Sequence, residues 1–158
     1  MGKASDERAI RNLINAYTDA ATRLDAKAGA ETYAEDGVLV ANGIELRGRA
    51  KIERAFARNY GASDLIFQMI QPGPLEIRGD RAFARSWIRA WNRLKGEVIR
   101  DILGLYQDEL IRTAEGWRFA RRRMDTIHVA ELGRVVEHRG YPPMEHEFKW
   151  IGRDPAGG

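Results

Sequence analysis

The chain has 158 residues, 44% hydrophobic and 31% charged, with a formal net charge of +3. That is the composition of one soluble globular domain with room for a real core. Cysteine is absent, which excludes disulfides, thiolate chemistry and cysteine-based metal sites.

No run approaches the roughly 18 apolar residues of a membrane span. The charged start, Met1-Gly-Lys-Ala-Ser-Asp-Glu-Arg8, lacks the apolar core of a signal peptide. A cytoplasmic protein that docks neither on membranes nor on nucleic acid is expected. Of its 26 basic residues 21 are arginines, and they are scattered, whereas a nucleic-acid footprint is a patch. The one dense run, Arg121-Arg122-Arg123, lies in an expected strand, whose alternation sends its members to opposite faces.

The spacing of Ile10, Leu13, Ile14, Tyr17, Ala20, Ala21 and Leu24 predicts an amphipathic helix over 6–24, capped by Ser5, with Asp6 and Glu7 at its positive end. A short helix over 27–33 is expected next, then a strand Val38–Ala41, an Asn42-Gly43 hairpin turn and a strand 44–46. A third helix spans 50–59, with Ile52, Ala55 and Phe56 inward and Gly61 beyond its end. Strands follow to the end of the domain. Residues 65–71 are broken from 75–78 by Pro72-Gly73-Pro74, which fits a bulge better than a central ladder.

Residues 81–93 alternate. One face holds Ala82, Ala84, Ser86, Ile88, Ala90 and Asn92, small enough to sit under helices or around a ligand. The other holds Phe83, Trp87, Trp91 and arginines, the composition of a protein interface, and a homo-oligomer (dimer or trimer) through Trp87 and Trp91 is expected. A hairpin then turns at Thr113-Ala-Glu-Gly116, its first strand so apolar that both faces should be covered. The domain is expected to span residues 1–129, with 130–158 as an extension packing on it or on a neighbouring subunit through Tyr141, Phe148 and Trp150. The ends of that extension are expected to fray.

The order helix, helix, hairpin, helix, long curved antiparallel sheet resembles the cone-shaped α+β fold of the NTF2-like superfamily, with three N-terminal helices on the concave side. Four segments carry a likeness to its SnoaL-like branch: the amphipathic Ile10 to Leu24 with Asp25 after it, Tyr33-Ala-Glu-Asp-Gly-Val38, Leu46-Arg-Gly-Arg49 and Leu105-Tyr-Gln-Asp-Glu-Leu through Trp117-Arg-Phe-Ala-Arg-Arg-Arg123. The resemblance implies fold more than activity, because one fold hosts many functions. Its dehydratase-like group (scytalone dehydratase, lindane dehydrochlorinase) uses an Asp–His dyad without a cofactor. Asp25 matches the Asp, Gln68 stands where the His is expected, Arg122 matches a pocket arginine and Tyr106 a pocket aromatic. The limonene epoxide hydrolase pattern fits worse, because its second carboxylate falls on Phe119.

Geometry adds to this. Asp25 lies about 20° around a helix from Ile14 and about 40° from Ala21, bordering the buried face. There burial and the helix dipole would raise its pKa, as a base requires, although it could equally cap the following helix. Arg122 shares strand parity with Arg118, Ala120, Met124, Thr126 and His128. It would stabilise developing charge or pair with Asp25. Tyr106 and Tyr17 are candidate acids. Leu39, Gln68, Ile88, Asn92, Ile102, Met124 and His128 are candidate substrate contacts. His128, His138 and His146 have no spacing that gathers a metal site.

The resulting expectation is a cofactor-independent lyase or isomerase, dehydratase-like elimination first, acting on a hydrophobic oxygenated small molecule. The alternative is a non-catalytic ligand-binding or assembly module, such as a dioxygenase small-subunit-like protein.

Overall fold

The computed structural model describes residues 2–131, 134–138, 142, 143, 145 and 146. Helix α1 spans Lys3–Thr22 and buries Ile10, Ile14, Tyr17, Ala20 and Ala21, the expected stripe. Its N-cap is Gly2, ahead of the expected Ser5, and Asp6 is buried in the core. Both Asp6 oxygens accept from the Arg112 guanidinium at 2.8 Å, and Oδ1 also accepts from Trp117 Nε1 at 3.1 Å. A carboxylate far from the sheet in sequence thus ties the first helix to it.

Those bonds hold the Asp6 pKa down at about 2. A depressed carboxyl stabilises the fold above its unfolded pKa near 3.8 and loses that contribution as pH falls towards 2. Asp6→Asn is therefore expected to flatten the stability–pH curve below pH ~4 in urea melts. An unchanged curve would show that Asp6 has no part in acid unfolding.

Helix α1 ends at Thr22, and Leu24 turns the chain with φ 57°. Helix α2 is Ala26–Glu31, so Tyr33 opens strand β1 (Tyr33–Ala41) rather than ending a helix. Asn42 and Gly43, with φ of 48° and 86°, make the hairpin to β2 (Ile44–Arg47). Helix α3, Arg49–Ala62, runs past the expected stop and places Tyr60 beside Ile52 and Phe56 on its buried face, with Gly61 inside it.

Strands β3 (Ser63–Arg78), β4 (Arg81–Leu94), β5 (Arg100–Thr113) and β6 (Gly116–Glu131) form a sheet of order β2-β1-β6-β5-β4-β3, with β7 (Arg134–His138) added on β6. Every pair is antiparallel except β1 with β6, which is parallel. Pro72-Gly73-Pro74 does not end β3. The ladder shifts register across it, and a Cβ on Gly73 would lie 2.5 Å from the Arg85 carbonyl oxygen. The Gly73 carbonyl accepts from Arg11 at 3.2 Å, so the bulge also docks α1.

Two register shifts in the β5–β6 pair change which side chains face inward. The first, opposite Glu109 and Leu110, lets Trp117, Phe119 and Arg122 all point into the core despite their mixed parity. The second, opposite Leu103 and Gly104, turns His128 away from Met124 and Thr126. The single-parity assignment of Arg118 through His128 fails at both places.

The β4 alternation holds, with Ala82, Ala84, Ser86, Ile88 and Ala90 buried against the helices. Beyond β7, Pro143, Glu145 and His146 lie on the opposite, convex face of the same chain. Gln107 donates to the Pro143 carbonyl and accepts from the Glu145 N–H, and Glu145 bridges Arg121 and Arg123 at 2.7 Å. His146 stacks on Phe83 at 4.1 Å and pairs with Glu76 at 2.7 Å. Tyr141, Phe148 and Trp150 lie outside the described residues.

Candidate functional site

Between α1, α3 and the concave sheet face lies a cavity of about 270 Å³. Helix α1 sends in Tyr17, β1 Leu39, β3 Gln68, β4 Ile88 and Asn92, β5 Ile102 and Tyr106, and β6 Met124. These eight sequence candidates are brought together because the strands carrying them are neighbours in the sheet. Helix α3 adds Phe56, Asn59 and Tyr60, which sequence reasoning missed although Tyr60 follows Phe56 by one helical turn. Ile66 is a further lining residue, and so is Thr126, which shares the strand parity of Met124. None of the described lining residues carries a charge.

Beneath the cavity is an aromatic cluster built on an ion pair. Arg122 is fully buried, and its Nε and Nη2 donate to the two oxygens of buried Asp108 at 2.7 and 2.9 Å. Its guanidinium lies 3.9 Å from the Tyr106 ring centroid, 4.1 Å from Phe119 and 4.3 Å from Tyr17. Tyr17 also meets Tyr33, Phe56, Tyr106 and Phe119 edge to face, with centroids 5.8–6.2 Å apart.

Burial raises the pKa of Tyr106, and the Arg122 charge, Tyr17 and Gln68 offset part of that rise. Burial also raises Tyr17 well above the ordinary phenol value. Both hydroxyls therefore stay protonated at neutral pH and can donate. Asp108 is pushed up by burial, with Arg122 opposing. Burial disfavours the Arg122 charge, but Asp108 more than compensates.

Three candidates lie elsewhere. Arg122 supports the tyrosine rings from below rather than lining the cavity, and its partner is Asp108, not Asp25. Asp108 shares β5 parity with Tyr106, but only the ladder, in which it stands opposite Arg122, gives it that partner. His128 pairs across the sheet with Leu103, whose side chain is exposed on the convex side.

Asp25 is the N-cap of α2. Its Oδ1 accepts from the Ala28 N–H at 2.9 Å, and Arg23 donates to Oδ2 at 3.1 Å. Its pKa is lowered, chiefly by the Ala28 N–H, the reverse of the expected shift. The helical angle that put it on the buried face fails because α1 ends at Thr22. Asp25→Asn, which keeps a capping oxygen, is expected to leave both stability and any turnover near wild type. A large loss of turnover in steady-state assays would return Asp25 to the chemistry.

Among the described residues no cluster of His, Asp and Glu is placed to hold a metal ion. No helix of the described residues is long and apolar enough to cross a membrane.

Known proteins bear on the fold. No curated protein sequence matches the chain. Among solved structures, a putative scytalone dehydratase from Novosphingobium aromaticivorans superposes with a TM-score of 0.76 at 18% identity, over 92% of this chain and 97% of that one. An NTF2-like protein with a cystatin-like fold from the same species gives 0.66 at 25% identity, over 78% and 83%. A ketosteroid isomerase-like protein from Erwinia carotovora atroseptica gives 0.68 at 23%, over 76% and 95%. Likeness at this level is a likeness of fold. The model of the SnoaL-like domain matches residues 2–123, so the chain belongs to the SnoaL-like domain family, with the α+β NTF2-like fold.

Proposed function

We propose that the chain is a cofactor-independent enzyme of the lyase or isomerase type, acting on a neutral, hydrophobic, oxygenated small molecule in the cone cavity. The observation that carries this reading is the pair Tyr17 and Tyr106, two buried hydroxyl donors over a buried guanidinium. A substrate carbonyl accepting from Tyr106 becomes more electron-withdrawing, which acidifies the adjacent C–H. Negative charge drawn towards the phenol is favoured by Arg122 below the ring. In a dehydratase-like elimination the C–H and C–O bonds break, a C=C bond forms, and the departing hydroxyl leaves with the proton as water. With no carboxylate or imidazole among the described lining residues, the departing hydroxyl itself is the group that takes the C–H proton. Isomerisation through the same polarised carbonyl is the close alternative.

One observation favours a second reading. No Asp, Glu, His or Lys is among the described lining residues, and Gln68 stands where the resemblance expects a base. On that reading the cavity carries a ligand without converting it, or the chain serves as an assembly subunit. Incubating the chain with hydroxylated aromatic and terpenoid ketones and analysing products by mass spectrometry separates the two. Loss of water from, or isomerisation of, a bound ketone supports the enzyme. Saturable binding with no product supports the carrier. A cytoplasmic setting belongs to the same proposal, with the lack of cysteine in its favour.

The convex face supports a homo-oligomer. Phe67, Met69, Trp91 and Leu103 are each 42–44% exposed, with Trp87 half-buried on the same face. The nearby charges are already paired, Arg89 with Asp101 and Arg93 with Asp64, which leaves the patch neutral and apolar. Sedimentation equilibrium is expected to give a dimer or trimer, shifted towards monomer by Trp91→Asp. A strict monomer at high concentration would overturn this.

A further inference from the structure

Strands β2 and β3 end the path of the sheet, and they are built differently. β2 is four residues long and carries Glu45 and Arg47, charges of the kind that blunt an edge against pairing. β3 is 16 residues long and pairs with β4 alone. Its second half is guarded by Pro72, Pro74, Glu76 and Arg78. Its first half is not. Residues 65–71, Leu-Ile-Phe-Gln-Met-Ile-Gln, hold no charge, proline or glycine and are rich in strand formers. An edge of that composition is a template for another strand.

Which of its backbone groups face outward follows from the ladder. The Arg112 N–H donates to the Asp80 carbonyl at 2.9 Å, so these two form a hydrogen-bonded pair. The same register runs unbroken from Arg81 opposite Ile111 to Asn92 opposite Arg100. Alternation then gives the even-numbered residues of β4 to β5 and the odd-numbered ones to β3. Trp91, Arg89 and Trp87 bond to Phe67, Met69 and Gln71, and Ile66, Gln68 and Ile70 turn their N–H and C=O groups to the open edge. Pro72 agrees with this: it falls in the outward set, where a missing N–H breaks no ladder bond.

We infer that this edge pairs with the same edge of a second copy of the chain, β3 against β3, antiparallel about a two-fold axis at Gln68. The inference rests on the homo-oligomer reading above and names its contact. Gln68 is the midpoint of the uncharged run, so a seam centred there sets Ile66 against the partner's Ile70 and leaves Asp64 and Pro72 beyond its ends. A shift of two residues either way brings Pro72 or Asp64 against an isoleucine, losing a hydrogen bond or facing a charge with an apolar side chain. On the convex side the centred seam sets Phe67 against the partner's Met69, and Met69 against the partner's Phe67. A thioether beside an aromatic ring is a favourable cross-strand pair. Trp91 extends it, its ring centroid 6.4 Å from that of Phe67. The contact is self-complementary, as a two-fold contact must be. Each outward N–H of Ile66, Gln68 and Ile70 meets a carbonyl, and no charge is desolvated within the seam.

The chain has no cysteine, so introduced ones report the seam without background. Phe67 and Met69 are both 42% exposed, which makes them safe sites for substitution. Across the seam, position 67 and the partner's position 69 form a non-hydrogen-bonded pair with Cα atoms about 4.5 Å apart, inside the disulfide range. Two copies of position 67 are diagonal, about 7–8 Å apart and outside it. Full-length Phe67→Cys and Met69→Cys, mixed in equal amounts and oxidised, are expected to give a reducible band of twice the chain mass, roughly tenfold stronger than from either variant alone. A second measurement uses the wild type. As rising concentration carries the chain into the dimer seen by sedimentation equilibrium, the amide protons of Ile66, Gln68 and Ile70 should exchange roughly tenfold more slowly or better. A cross-link equally strong in the single variants would overturn the inference. A dimer or trimer whose three amides exchange as fast as in the monomer would overturn it too, and leave the homo-oligomer reading standing. A strict monomer at high concentration would overturn both.

Discussion

Asp108→Ala is expected to destabilise the protein by about 3–5 kcal/mol, enough to unfold many domains of this size. The physical reason is the charge it leaves behind. Arg122 is fully buried, and Asp108 supplies two charge-assisted hydrogen bonds to it. Without that carboxylate the guanidinium sits unpaired among Tyr17, Tyr106 and Phe119, where ring faces offset only part of its desolvation. Removing both partners together has a different outcome. Asp108→Leu with Arg122→Met replaces the pair by apolar groups and should recover most of the loss. Urea unfolding of the singles and the double measures this directly. A single substitution costing under about 1 kcal/mol would mean that water reaches the pair.

The second large effect is on chemistry. With any ketone that the wild type converts, Tyr106→Phe is expected to lower kcat about a hundredfold, the usual loss for one positioned acid, with KM changing much less. Phenylalanine preserves the ring over Arg122, so stability should stay close to wild type. Tyr17→Phe should cost less, since Tyr17 holds Tyr106 rather than the substrate oxygen alone. A Tyr106→Phe protein with unimpaired kcat would remove the acid from the scheme.

Most of the fold was legible where a periodicity ran uninterrupted. The stripe on α1 and the small-residue face of β4 each placed their buried side chains without help from tertiary contacts. Reading failed where the chain broke its own period. The shifts opposite Glu109 and Leu103 insert residues into β6, and counting by twos across them put His128 in the cavity and Arg118 beside Arg122. Asp25 failed for a related reason: a helical angle was carried past Thr22, beyond which the helix no longer exists. Asp6 was read as a helix-dipole partner because its true partners, Arg112 and Trp117, are more than a hundred residues away. The parallel pairing of β1 with β6 has the same character, since no local signal specifies a strand partner at that distance.

The cavity itself was read better than the groups around it. Tyr17, Gln68, Asn92 and Tyr106 came from face assignments on regular stretches, and the structure gathers them. What could not be read was their support. Asp108 lies in a run of polar residues, and only the ladder that sets it against Arg122 gives it a meaning.

The most direct test of the account is a crystal structure of the full chain soaked with a hydroxylated aromatic ketone. The account predicts the ketone in the cone cavity, with an oxygen about 2.6–3.2 Å from the Tyr106 hydroxyl. A ligand bound elsewhere, or in the cavity with its oxygens turned away from both Tyr106 and Tyr17, would contradict it.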